Sequence, residues 1–192
     1  CAPMLSLKLS KSMETFVLVM GELSRLGFRN RALPQSEWKG RKGSHEIPFS
    51  ENIVTSDKSR FIRSGDLMRA NEDLALAGIS LAWVHESIKR TRKFNKPNWG
   101  QKITVPTLLL SATKDQVVNS EKNELLCQTI PGIKIARIEG NHELLMEQDH
   151  IRVETWQQID KFLEYKWKEN VLEDKKIKGK YEDKSIFRQK NI

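Results

Sequence analysis

Only two cysteines, Cys1 and Cys127, occur in the 192 residues, and neither they nor the four histidines form a cluster with metal-ligand spacing. So few thiols exclude the disulfide framework that staples small secreted domains. Cys127 sits among Leu125, Leu126 and Ile130, a setting for a buried, inert thiol that suits a reducing compartment. Long apolar runs are missing too. The best are Phe16 to Met20 and Thr107 to Leu110, well short of the about 20 apolar residues that a bilayer-spanning helix needs. No secretory signal opens the chain, because Lys8 and Lys11 follow an apolar segment and do not precede one. A cytoplasmic location is expected, with loose attachment to the inner membrane surface left open. The chain begins Cys-Ala-Pro-Met-Leu and not with Met, so further sequence is expected upstream. Gly-x-Ser-x-Gly, the strained turn that presents a nucleophilic serine, occurs nowhere.

What is present begins with charge. The net charge is +8, and residues 166–192 alone hold nine Lys/Arg against five Asp/Glu. That tail has few apolar residues and no periodicity, and reads as frayed helix passing into disorder. A basic surface attracts nucleic acid or anionic lipid, but a solvated tail that aids solubility is at least as good a reading.

Phe16, Val19, Met20, Leu23 and Leu26 recur at helical spacing, and Gly27 follows as a stop. Turn-rich sequence fills 28–55, with clusters near Lys39–Ser44 and Pro48–Asn52. A second helix is predicted from Asp57 to Asn71. A third follows Gly78, with Ser80 as N-cap and Leu81, Val84 and Ile88 as its buried face. The character changes at Ile103. Thr104 to Ala112 is a short apolar run that fits a strand covered on both faces. A helix over about Ser120–Ile130, a strand over Ile133–Ile138 and a long helix bearing Val153, Trp156, Ile159, Phe162 and Leu163 complete a βαβα unit.

Two residues of this unit point to chemistry. Asp115 lies just past the carboxyl end of the first strand, in Ser-Ala-Thr-Lys-Asp-Gln-Val-Val. His142 lies just past the second, in Glu-Gly-Asn-His-Glu-Leu-Leu-Met-Glu. Catalytic groups of open α/β sheets gather beyond the carboxyl ends of strands, so parallel pairing would bring the two to one rim. A histidine serves as base towards a serine when a carboxylate holds its other ring nitrogen. Taken singly, Asp115 reads more readily as a turn residue and His142 as a surface histidine; their matched contexts favour the catalytic pair. His142-Glu143 also starts like a zinc-protease helix, but Met146 stands where that motif requires histidine.

At these residues a family resemblance emerges. Val105-Pro-Thr-Leu-Leu-Leu-Ser-Ala-x-x-Asp115-x-Val-Val resembles the acid-bearing strand of α/β-hydrolases of the lysophospholipase and monoacylglycerol lipase type. Gly140-Asn-His142-Glu-Leu-Leu-Met-Glu resembles that family's histidine loop, with one residue fewer between Gly140 and His142. Asn52 to Phe61 and Gly78 to Ile88 are similar to lid segments of bacterial lysophospholipases, and Ala2-Pro-Met-Leu5 to the strand after the nucleophile elbow.

The resemblance implies an α/β fold: the C-terminal part of an α/β-hydrolase sheet with a largely helical cap, or lid, insertion. Residues 1–10 would end a core strand, 11–100 form the cap, 101–165 return to the core as the βαβα part, and 166–192 be the basic tail. It implies a serine hydrolase of a fatty-acyl ester, lysophospholipid or monoacylglycerol, working through Ser, Asp115 and His142, with the serine upstream and no cofactor or metal. This 192-residue chain alone would then be inactive. Met13, Phe16, Trp83 and Trp99 are candidates to line the acyl site, though ordinary packing competes for each. Lys58, Arg60, Arg63, Lys89, Arg90, Arg92 and Lys93 make the cap basic, suited to peripheral contact with an anionic membrane surface or simply solvated. Two readings compete: a hydrolase remnant without turnover, and a basic module for nucleic acid. The last needs aromatics interleaved with cations on one face, whereas Trp156 falls on an apolar stripe, so no nucleic-acid partner is expected.

Overall fold

A computed structural model of the chain describes residues 3–23, 27, 44–74 and 79–165. It divides into two compact units, Cys1–Thr155 and Trp156–Ile192. The expected turn cluster at Lys39–Ser44 falls outside the described residues but for Ser44, and Leu26, Gly78 and the basic tail 166–192 fall outside them altogether.

The first unit opens with irregular backbone. Residues 3–10 make one antiparallel bridge, Leu7 to Val118, and no strand. Ser6, Pro3 and Lys8 are held by side-chain bonds instead: Ser6 Oγ donates to Asn123 Oδ1 at 2.6 Å, and Asn123 Nδ2 donates to the Pro3 carbonyl at 2.6 Å. Helix α1 (Lys11–Leu23) follows, and Gly27 beyond it adopts a φ of 130°, open to glycine and strained for other residues. Helix α2 (Lys58–Ala70) starts where Asp57 accepts the Arg60 N–H, and helix α3 (Leu81–Phe94) where Ser80 accepts the Trp83 N–H. Both are side-chain N-caps, each satisfying one of the orphan donors of a first turn.

The apolar stripe of α1 does not face inward. Val17 and Gly21 are its buried residues, while Met13, Phe16, Val19, Met20 and Leu23 are exposed. The apolar period therefore does not choose the buried face here. Gly21 does: a Cβ there would lie 2.2 Å from His85 Cδ2, so the missing side chain lets α1 and α3 approach. On α3, Ile88 is buried as expected, but its companions are His85, Ser87 and Thr91; Leu81 and Val84 are half-buried.

Strand β1 (Leu108–Ala112) pairs in parallel with β2 (Lys134–Ile138), Leu108 opposite Lys134 and Ala112 opposite Ile138. The ladder starts later than the apolar run, since Pro106 has no N–H to donate and Val105 is exposed. Helix α4 (Ser120–Cys127) connects them, capped by Asn119. It stops short of Ile130, and Gly132 at φ 66° makes the turn into β2. Leu109, Cys127 and Ile130 form a core cluster on which Leu5, Trp99, Ile103, Ile133 and Ile135 pack. Burial, and then nearby Glu124, push the Cys127 thiol pKa up, as an inert core thiol requires. Helix α5 (149–155) closes the unit, burying Ile151 and Thr155.

In the second unit residues 156–165 are helical, with Trp156 and Leu163 exposed. No helix among the described residues is long and apolar enough to cross a membrane.

Candidate active site

Past the ends of the two strands the parallel ladder continues for one more step. Thr113 N–H donates to the Ile138 carbonyl at 2.9 Å, and Lys114 N–H donates to the Gly140 carbonyl at 3.0 Å. The next residue on one side is Asp115, and two further on the other is His142. His142 Nδ1 and Asp115 Oδ2 stand 2.8 Å apart. The carboxylate only accepts, so Nδ1 carries the proton. Gly140 makes the close turn possible, since a Cβ there would sit 2.9 Å from Leu144 Cδ2 and 3.0 Å from Ile151 Cγ2.

Asp115 is fixed on every side. Its side chain is fully buried. Oδ1 accepts the N–H groups of Val117 at 2.8 Å and Val118 at 2.9 Å, which leaves Oδ2 for the histidine. Lys8 donates to its backbone carbonyl. A buried carboxylate needs such donors, because burial without them is costly. The His142 ring is 24% exposed, and no described residue hydrogen-bonds its Nε2. A histidine so held leaves Nε2 as its unprotonated nitrogen, with the tautomer chosen by the acid, which is the arrangement that accepts a proton from a hydroxyl nucleophile.

The loop bearing His142 is anchored by a residue that was not among the candidate site residues. Glu147 is fully buried. Its Oε1 accepts the Asn141 N–H at 2.8 Å, and its Oε2 accepts the Ser56 N–H at 3.0 Å and the Ser56 hydroxyl. Burial pushes its pKa up, but the bonds from the Ser56 hydroxyl, Asn141, the Ser56 amide and Gln148 outweigh that and hold it below the ordinary value. The same two segments meet elsewhere. Glu143 N–H donates to the Val54 carbonyl at 2.9 Å, and Thr55 Oγ1 to the Met146 carbonyl at 2.7 Å. Arg60 donates to the Glu147 carbonyl at 2.5 Å and bonds Asp57 and Asp149. Glu147 closes the quoted histidine-loop motif, so the signal was in the sequence; what it binds, 91 residues away in Ser56, was not.

The four apolar candidates part company. Met13 and Phe16 are exposed on α1, and Trp83 is exposed on α3. Trp99 instead joins the core cluster near Ile103 and Ile133, which precede the strands, and tilts against Phe94 with ring centroids 5.0 Å apart. Its ring is used in packing against that cluster. Among the described residues no three His, Cys, Asp or Glu side chains gather as a metal site.

Comparison with known proteins gives the family and the fold. The model of the Hydrolase_4 family, described as serine aminopeptidase, S33, matches residues 1–149. A probable lysophospholipase L2 of Haemophilus influenzae is 28% identical over 124 residues, 64% of this chain and 39% of that protein. Lysophospholipase L2 of Escherichia coli K12 is 28% identical over 114 residues, 55% of this chain and 33% of that protein. The chain thus spans under two-fifths of the length of these relatives. Among solved structures, a soluble variant of monoglyceride lipase from Saccharomyces cerevisiae, in complex with a substrate analog, superimposes with TM-score 0.54 at 15% identity, over 81% of this chain and 49% of that one. A monoacylglycerol lipase of Paleococcus ferrophilus does so with TM-score 0.52 at 17% identity, over 81% and 52%. At such identities the superpositions speak for the fold.

Proposed function

The chain belongs to the Hydrolase_4 family, serine aminopeptidase S33, of the α/β-hydrolases, and from that membership we propose that it supplies the acid and base of a serine hydrolase acting on fatty-acyl esters of lysophospholipids or monoacylglycerols. One observation carries the reading: the 2.8 Å contact of His142 Nδ1 with a buried Asp115 that has no other use for Oδ2. In this reading His142 Nε2 takes the proton of a serine hydroxyl as the serine attacks the ester carbonyl. The tetrahedral intermediate collapses to an acyl-serine, and the same nitrogen protonates the departing alcohol. Water then attacks the acyl-serine by the reverse proton path and releases the fatty acid. No Gly-x-Ser-x-Gly occurs in these residues, so in this reading the serine is supplied from outside them, and this 192-residue chain alone is expected to be inactive.

The choice of a lipid ester rests on the names of the curated relatives and on exposed apolar side chains. Residues 11–100 form the lid in this proposal, and 101–165 the returning core. Met13, Phe16 and Trp83, exposed on α1 and α3, are the candidates to meet the acyl chain, whereas Trp99 is committed to packing. The cations of α3 would meet an anionic lipid surface. The test is kcat on p-nitrophenyl butyrate and on a lysophospholipid, measured on the full-length protein. His142→Ala should cost on the order of a millionfold, and Asp115→Asn about ten-thousandfold. His45→Ala and His150→Ala should each stay within about tenfold of the parent. Comparable activity in His142→Ala would end the assignment.

A further inference from the structure

The chemistry of the pair needs more than two residues, because a base is useful only while its ring stays in register with the acid. His142 sits on a loop, and loops are held by what their amides bind. Both neighbours of His142 are tied by their N–H groups to one buried region. Asn141 donates to Glu147 Oε1, and Glu143 donates to the Val54 carbonyl. Glu147 carries the larger share, since its other oxygen takes two donors from Ser56. One carboxylate therefore joins the residue before the base to a segment about ninety positions earlier in the chain. We propose that Glu147 is a positioning residue for His142, holding the histidine loop against residues 54–57 so that Nδ1 faces Asp115. This rests on the reading of Asp115 and His142 as acid and base.

The donor count explains why the residue is a glutamate. An ionised carboxylate presents two oxygens that only accept, and donors address both: Asn141 at one, Ser56 at the other. A glutamine has one accepting oxygen and an amino group that donates. Whichever way it turns, an N–H meets an N–H, and one side of the junction opens. Glu147→Gln is thus nearly the same in shape and removes half of the tie. Arg60 works beside it, bridging the Glu147 carbonyl to Asp57 and Asp149, a tie that does not use the Glu147 side chain.

The experiment uses full-length protein carrying isotope-labelled histidine, with the Nδ1 proton of His142 identified by its loss in His142→Ala. Two quantities are read: solvent exchange of that proton, and kcat and KM on p-nitrophenyl butyrate. Glu147→Gln, folded by circular dichroism, should exchange the proton about tenfold faster and lose about tenfold in kcat with KM nearly unchanged. Ser56→Ala removes one donor and should move both in the same direction by about fivefold or less. Asp115→Asn separates the two layers of argument. If it leaves the proton and kcat as in the parent, the acid–base reading fails and the inference goes with it. If it disturbs both while folded Glu147→Gln matches the parent, positioning by Glu147 alone is overturned. Should Glu147→Gln not fold, Ser56→Ala decides: parent-like exchange and kcat overturn the inference, and a matched change in both supports it.

Discussion

The strand region, residues 108–155, and the helical region, residues 11–94, are built on different bonds. In the first, the parallel ladder fixes each backbone step, and buried carboxylates are paired: Asp115 with Val117 and Val118, Glu124 with Arg137 at 2.6 Å, Glu147 with Asn141 and Ser56. In the second, the helices begin at well-made caps but bury little apolar surface. Phe16 on α1 is 56% exposed and Leu67 on α2 57%, against 0% for Ile138 and Leu144. The ladder holds His142 and Asp115 to within a hydrogen bond, and the helices present exposed apolar side chains. The function proposed above would use both: rigidity where a proton moves, and apolar surface where an acyl chain is received.

The largest effect that can break this contrast is in core stability. Ile138→Ala empties a fully buried site beside the ladder and should cost about 2–5 kcal/mol. Phe16→Ala removes a larger group and should change stability by less than about 0.5 kcal/mol, because its ring is mostly in solvent. Urea denaturation of full-length protein reads both. Equal costs would mean that the α1 stripe is covered in solution and that the two regions are not different in kind. A smaller effect sharpens the helical side. Gly21→Ala would stabilise an isolated helix, but its Cβ has no room against the His85 ring, so a loss of about 1–3 kcal/mol is expected. A gain in stability would show that α1 does not rest on α3 there.

What could be read from the sequence follows the same division. The βαβα order, the parallel pairing and the rim placement of Asp115 and His142 were legible, because strand ends and turns leave local marks: an apolar run, a Pro-Gly, a Gly-Asn-His. The starts of α2 and α3 were legible for the same reason, since Asp57 and Ser80 cap them with their own side chains. Which face a helix buries was not. The stripe on α1 points outward because a glycine, not a leucine, makes the contact with α3, and Val153 is exposed while Thr155 is buried. Trp99 and Trp83 were both candidates from the cap segment, and only the tertiary packing separates them. Glu147 is the instructive case. Its type and place were visible at the end of the histidine motif, but its partner Ser56 lies too far along the chain for any local pattern to name.

That junction also predicts the smallest effect, and it is one of pH. Glu147 is held below the ordinary carboxylate value in the folded protein, and unfolding returns it to about 4.5. A group lowered in this way adds stability in full above its unfolded value and loses it as pH falls through the folded one. The parent should therefore lose stability on acidification below about pH 4.5 more steeply than Glu147→Gln, which has no proton to gain there. Glu124, bound to Arg137, Glu139, bound to Lys114, and Asp149, bound to Arg60, are lowered too and titrate in the same window. They remain in both proteins and cancel, so the quantity to follow is the difference in melting temperature between parent and variant from pH 7 to pH 3.5. That difference should be largest at neutral pH and shrink towards acid. A gap that stays constant over the range would mean that Glu147 holds the histidine loop by shape and not by charge, and the strand region would then owe its rigidity to the ladder alone.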